Sequence, residues 1–130
     1  MILLFYDNLL ELFQIKILVA GGCKGWCDET ITPLKSAEIY DPLTNTWAQA
    51  EDMPEPVSSA QMELFDGLPT TVGGTNGVTQ ISKMYQYYIN ENKWFVHKKA
   101  KLRYARTSAA VFQVPRLHFQ NCQGKIPEYY

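Results

Sequence analysis

The sequence predicts an all-β fold built from a repeated unit, and three observations carry that prediction. Gly21-Gly22, Tyr40 and Trp47 recur as Gly73-Gly74, Tyr87 and Trp94, with the Tyr seven positions before the Trp in both copies. Glu11-Leu12-Phe13 recurs as Glu63-Leu64-Phe65, each tripeptide beginning ten positions ahead of its glycine pair. The composition agrees: 13% of the 130 residues are aromatic, and the many Val, Ile, Thr and Tyr suit a pleated, half-buried surface.

Residues 1–13 fit two patterns. As a helix they place Phe5, Leu9, Leu12 and Phe13 on one side. As a strand they align with Ser58 to Phe65 through the shared Glu-Leu-Phe, and this more specific match favours strand. Ile15 to Ala20 is an apolar run that fits a buried strand. A long loop, Cys23 to Lys35, precedes a strand over Ser36 to Tyr40. Asp41-Pro42-Leu43-Thr44-Asn45 is a turn, because Pro presets the bend. Thr46 to Gln49 then closes the unit.

The second unit repeats the plan. Ser58 to Phe65 is a strand ending at the Asp66-Gly67 turn signal. Leu68 to Val72 follows, with Pro69 its awkward residue, since Pro has no N–H to give a ladder. A polar loop, Thr75 to Gln80, leads to strands over Ile81 to Tyr88 and Lys93 to His97, with a turn at Ile89 to Asn92. The copies are 52 residues apart at the glycines and 47 at the Tyr and Trp. The difference falls in the loop after the glycines, where insertions are best tolerated. A third copy starts at Arg106 to Val111, which parallels Val57 to Met62, and decays after Pro115. Leu117 to Phe119 suits a strand, but Asn121-Cys122 stands where Gly-Gly is expected.

A period near fifty with this Gly-Gly, Tyr, Trp order resembles the kelch repeat, one blade of a β-propeller. Ala37 to Trp47 is the best-matched segment. The resemblance implies antiparallel four-stranded β-propeller blades of kelch type: blade 1 over residues 1–56, blade 2 over 57–104, part of a third over 105–122, and a tail over 123–130. Gly21, Gly22, Gly73 and Gly74 then supply backbone conformations closed to other residues. Tyr40, Trp47, Tyr87 and Trp94 pack between blades with their polar tips at the rim. Propellers close rings of about four to eight blades, so two and a part make an incomplete ring. The sequence therefore reads as a piece of a larger propeller, a truncated product, or a subunit that self-associates to complete its ring.

The chemistry expected is binding, not catalysis. Net charge is −1, so no overall field draws the chain to nucleic acid or membrane. His97 and His118 stand in no metal-ligand spacing, and Cys23-x3-Cys27 lacks two further ligands nearby. Val72 to Gly77 is neither a P-loop nor a dinucleotide fingerprint. No catalytic residue, metal or cofactor is expected. Three cysteines, Cys23, Cys27 and Cys122, in a chain without a signal-peptide pattern point to free thiols and an intracellular location. A copper enzyme of galactose-oxidase type remains the alternative, although its ligand pattern finds no match.

Many members of the family recruit proteins, as ubiquitin-ligase adaptors or actin binders, so the resemblance implies a protein–protein interaction module. In such propellers the loops after Gly-Gly and the connections between blades form the partner face. By position that implicates Lys24, Trp26, Asn76, Gln80, Arg103 and Arg106. The connection after the first Trp is acidic (Glu51, Asp52, Glu55). Its counterpart is basic (Lys98, Lys99, Lys101, Arg103, Arg106) and suits an acidic peptide, with Arg as the carboxylate anchor.

Overall fold

A computed structural model describes residues 2–7, 14–24 and 32–112. Among the described residues ten strands run in chain order: β1 (Ile2–Asp7), β2 (Gln14–Ala20), β3 (Cys23–Lys24), β4 (Thr32–Pro33), β5 (Ala37–Asp41), β6 (Thr46–Ala50), β7 (Gln61–Phe65), β8 (Leu68–Val72), β9 (Lys83–Tyr88) and β10 (Lys93–Lys101). They form two four-stranded antiparallel sheets, ordered β1-β2-β5-β6 and β7-β8-β9-β10, plus a small β3-β4 hairpin. These are two blades of the kind the repeat implies, and two blades leave the ring open. Among the described residues no helix is long and apolar enough to cross a membrane.

The repeat extends to individual hydrogen bonds. Leu34 N–H donates to the Gly22 carbonyl as Ile81 N–H does to Gly74, at 2.9 and 2.8 Å. Blade 1 needs a longer loop to reach the same point, and β3-β4 occupies that insertion. Gly22 N–H donates to Val57 O and Gly74 N–H to Arg106 O, both at 2.8 Å, so each outgoing linker crosses its own blade's second glycine. Ser59 and Ser108, equivalent positions in the linkers, share positive φ of 53° and 52°. Arg106 to Val111 thus repeats the linker geometry of Val57 to Met62 in this respect. No strand forms over 105–112, and Leu117 to Tyr130 lies outside the described residues.

Three expectations change. Strand pairing makes Phe5 the counterpart of Phe65, since Phe5 pairs with Lys16 and Phe65 with Leu68. The alignment through Glu11-Leu12-Phe13 is therefore not the structural register: the apolar run Ile2–Tyr6 pairs with Ile15–Val19 instead. Pro69 sits inside a central strand, fully buried, and is accommodated because the β8–β9 ladder begins only at Thr70. Cys23 is disulfide-bonded, which corrects the reading of three free thiols.

The core lies between the blades. Register puts Leu18, Ala20, Ala37, Ile39 and Ala50 on one face of blade 1, and Met62, Tyr85, Tyr87 and Trp94 on one face of blade 2. These residues, with Met53, Val57 and Ile81, form one apolar cluster. Small residues on the first face leave room for large aromatic rings on the second. Each large side chain buried here contributes about 1.5–3 kcal/mol.

Candidate functional site

The rim where linkers cross the glycines is built from the blade–blade seam. Tyr87, Asn92 and Trp94 sit at the β9–β10 corner. A 3₁₀ turn (Ile89–Glu91) ends on Asn92 with φ 49°, the left-handed conformation that Asn tolerates. Asn92 Oδ1 accepts from Tyr87 Oη at 2.7 Å and from the backbone N–H of Glu51 at 2.9 Å. Trp94 Nε1 donates to the Glu51 carbonyl at 2.8 Å, and its ring packs on Tyr87 with centroids 5.0 Å apart. One residue at the end of blade 1 is thereby held by both its backbone groups. Burial, then the Glu51 charge, raises the Tyr87 phenol above its ordinary value.

Blade 1 carries the same three residues. Tyr40 Oη donates to Asn45 Oδ1 at 2.8 Å, Asn45 has φ 54°, and the Tyr40–Trp47 centroids are also 5.0 Å apart. Here the outer side is open, and Trp47 is 56% exposed against 7% for Trp94.

Glu55, in the linker between the blades, gathers a second cluster. Its carboxylate accepts a short hydrogen bond from Tyr85 Oη, one from Asn76 Nδ2 at 3.0 Å, and pairs with Lys83 Nζ at 3.5 Å. Partial burial alone would push the Glu55 carboxyl up, but the bonds from Tyr85 and Asn76 and the Lys83 charge outweigh it and hold it low. Burial, then Glu55 itself, drives the Tyr85 phenol well above its ordinary range.

Five of the residues expected on the partner face, Lys24, Asn76, Gln80, Arg103 and Arg106, are among the described residues. Asn76 anchors the loop after Gly73-Gly74: besides Glu55 it serves Val78 N–H and Thr79 N–H through Oδ1, at 3.0 and 2.8 Å. Gln80 closes that loop by a bridge to Thr75 and stays exposed. Arg106 lies on Gly74 through its carbonyl while its side chain is exposed. Exposed Arg103 stacks its guanidinium 5.5 Å from the Tyr104 ring. Lys24 is exposed at the matching loop of blade 1, in β3. Trp26 lies outside the described residues. The basic run is split: Lys98, Lys99 and Lys101 belong to β10, so only Arg103 and Arg106 occupy the linker proper. Lys98 and Lys99 instead line an open cavity of about 450 Å³ with Gln86, Tyr88, Phe95 and His97. His97 Nδ1 accepts from Ala100 N–H at 2.8 Å, tying off the irregular stretch of β10. Among the described residues no three of His, Cys, Asp and Glu converge as metal ligands.

Sequence reasoning counted Glu55 only as one charge of the acidic connection and passed over Asn45, Asn92, Tyr85 and Tyr104 as site residues. The two asparagines were detectable, since each stands five positions after its Tyr and two before its Trp. Glu55 and Tyr85 lie thirty residues apart and are joined only by folding.

Comparison with known proteins agrees with this architecture. The family model described as "Kelch motif" matches residues 16–54, which span β2 to β6. Spermatocyte protein spe-26 of Caenorhabditis elegans is 28% identical over 104 residues, covering 80% of this chain and 17% of that protein. Kelch-like protein 35 of Mus musculus is 33% identical over 67% of this chain and 14% of its own length. Kelch-like protein 25 of Xenopus tropicalis is 34% identical over 60% of this chain and 13% of its own. The chain thus spans less than a fifth of each relative it matches.

Proposed function

We propose, for a chain that belongs to the kelch-repeat family, a non-enzymatic role in protein–protein interaction, with an acidic peptide segment of the partner received at the rim. The carrying observation is the outgoing linker of blade 2. It carries exposed Arg103 and Arg106, and Arg106 is fixed to Gly74 through its backbone carbonyl. Guanidinium groups bind carboxylates through paired hydrogen bonds, and a linker fixed to the blade loses little freedom on binding. Gln80 and Lys24 extend the same rim with amide and ammonium donors.

A fluorescent Glu-rich peptide titrated against the chain tests this reading. Arg103→Ala with Arg106→Ala should weaken binding at least tenfold, and raising salt should weaken wild-type binding more than that of the double variant. Equal affinity of the two proteins, or no binding at low salt, would contradict it.

A further inference from the structure

The seam inside the chain specifies what could cover the open flank of blade 1. We propose that this flank receives the outgoing linker of blade 2 from a second copy of the chain, head to tail. The proposal rests on the blade packing and not on the peptide-binding reading.

Backbone anchors make the two linkers equivalent residue by residue. Met53 N–H donates to Lys35 O and Leu102 N–H to Ser82 O, at 2.7 and 2.8 Å. Val57 O and Arg106 O accept from Gly22 and Gly74. With both ends matched and no insertion between them, Tyr104 takes the place of Glu55. Strand register likewise places Glu38 where blade 2 has Tyr85, since Glu38 pairs with Val19 and Gln49 as Tyr85 pairs with Thr71 and Val96. Inside the chain, a linker carboxylate meets a phenol on the blade. Between copies, a linker phenol would meet a carboxylate on the blade. Donor and acceptor have exchanged sides, and the pair stays complementary.

At the corner, the position matching Glu51 is Ala100, whose N–H His97 Nδ1 already holds at 2.8 Å, so the match there extends to its C=O alone. Asn45 Oδ1 and Trp47 Nε1 are arranged like Asn92 Oδ1 and Trp94 Nε1, which leaves Trp47 Nε1 ready for that C=O. Tyr104 is 60% exposed and Glu38 is exposed as well. The Arg103 guanidinium stacked on Tyr104 adds a positive charge opposite Glu38. Behind the linker, blade 2 presents Phe65 and Phe95, 38% and 43% exposed, on the face turned away from blade 1. Such a contact joins unlike surfaces, so it propagates until the rotation closes a ring. Rings of four to eight blades correspond to about two to four copies.

Light scattering on the full chain and three variants, with a thermal melt of each, decides the matter. Wild type should exceed the mass of one chain at about 100 µM, a concentration at which even a contact of micromolar Kd is filled. Tyr104→Glu, which sets two carboxylates against each other, should give folded monomer. Adding Glu38→Tyr to it recreates the internal Glu55–Tyr85 arrangement and should restore association. Trp47→Glu and Tyr104→Glu chains, each monomeric alone, should combine when mixed into a species of two chains, because each keeps the surface the other lost. A monomeric wild type with a cooperative melt would overturn the proposal. So would an oligomer indifferent to Tyr104→Glu, or failure of the mixed variants to combine.

Discussion

Tyr87-Asn92-Trp94 and Tyr40-Asn45-Trp47 are the same device in two circumstances. Their internal geometry agrees closely: hydrogen bonds of 2.7 and 2.8 Å, ring separations of 5.0 Å, interplanar angles of 44° and 39°. The second-blade copy grips Glu51 and is buried, whereas the first-blade copy leaves Trp47 mostly in solvent. The corner motif therefore forms from local sequence alone, since it persists without a docked neighbour. Its contribution to stability comes from what it docks against.

The largest test of that difference is removal of the rings. Trp94→Ala opens a cavity in the seam and strips the Glu51 carbonyl of its donor, so chemical denaturation should show a loss of about 3–5 kcal/mol. Trp47→Ala in the dilute chain should cost less than about 1 kcal/mol, as an exposed ring removes little buried area.

The second glycine of each pair sharpens the comparison through the backbone. Gly22 and Gly74 have φ of +97° and +98°, so alanine is strained at either. A Cβ at Gly22 meets nothing within 4 Å, but at Gly74 it would lie 2.7 Å from Ser58 O and 2.8 Å from Ala60 Cβ. Gly22→Ala should cost about 1–3 kcal/mol from strain alone. Gly74→Ala should cost about 2–5 kcal/mol, because the clash adds to the strain. Urea midpoints of the two variants would separate these contributions.

Glu55 gives a smaller effect with a pH signature. Its folded-state pKa is lowered, so its contribution is full above the ordinary value of 4.5 and is lost as pH falls through the folded value. Glu55→Gln should cost about 1–2 kcal/mol at neutral pH. It should also flatten the decline of stability below pH 4.5. The opposite sign holds for Tyr85, whose raised pKa makes its contribution full below pH 10 and lost at higher pH. The smallest contrast is at the corners. Asn92→Gly keeps the left-handed backbone and loses two acceptor contacts, about 1 kcal/mol, while Asn45→Gly should fall below about 0.5 kcal/mol.

Much of this architecture was legible before folding. Leu68 to Val72 is a strand with the bounds its sequence suggested, and β2, β5 and β6 differ by a residue at their ends, whereas β7 and β9 start later than expected and β10 runs on to Lys101. Turn residues are local signals, and they located each of these strands while fixing the ends of only some. Register was less legible: Glu-Leu-Phe at 11 and 63 matched in letters, but pairing put Phe5 opposite Lys16. A short tripeptide constrains pairing less than a whole apolar run does. The site was legible only in part. Chain position located Arg103 and Arg106 on the linker, yet β10 ran on to Lys101 and took the lysines away from it. The Glu55–Tyr85–Asn76 cluster joins a linker, a strand and a loop, and nothing local announces such a meeting.

Indole N–H exchange, followed by NMR on the dilute chain, tests the central comparison most directly, because the three tryptophans give only three resonances to assign. The Trp94 N–H, held by the Glu51 carbonyl, should exchange many-fold more slowly than the Trp47 N–H, which should exchange near the rate of a free indole. Equal protection of the two, or a rapidly exchanging Trp94, would mean that the blades do not dock through this corner.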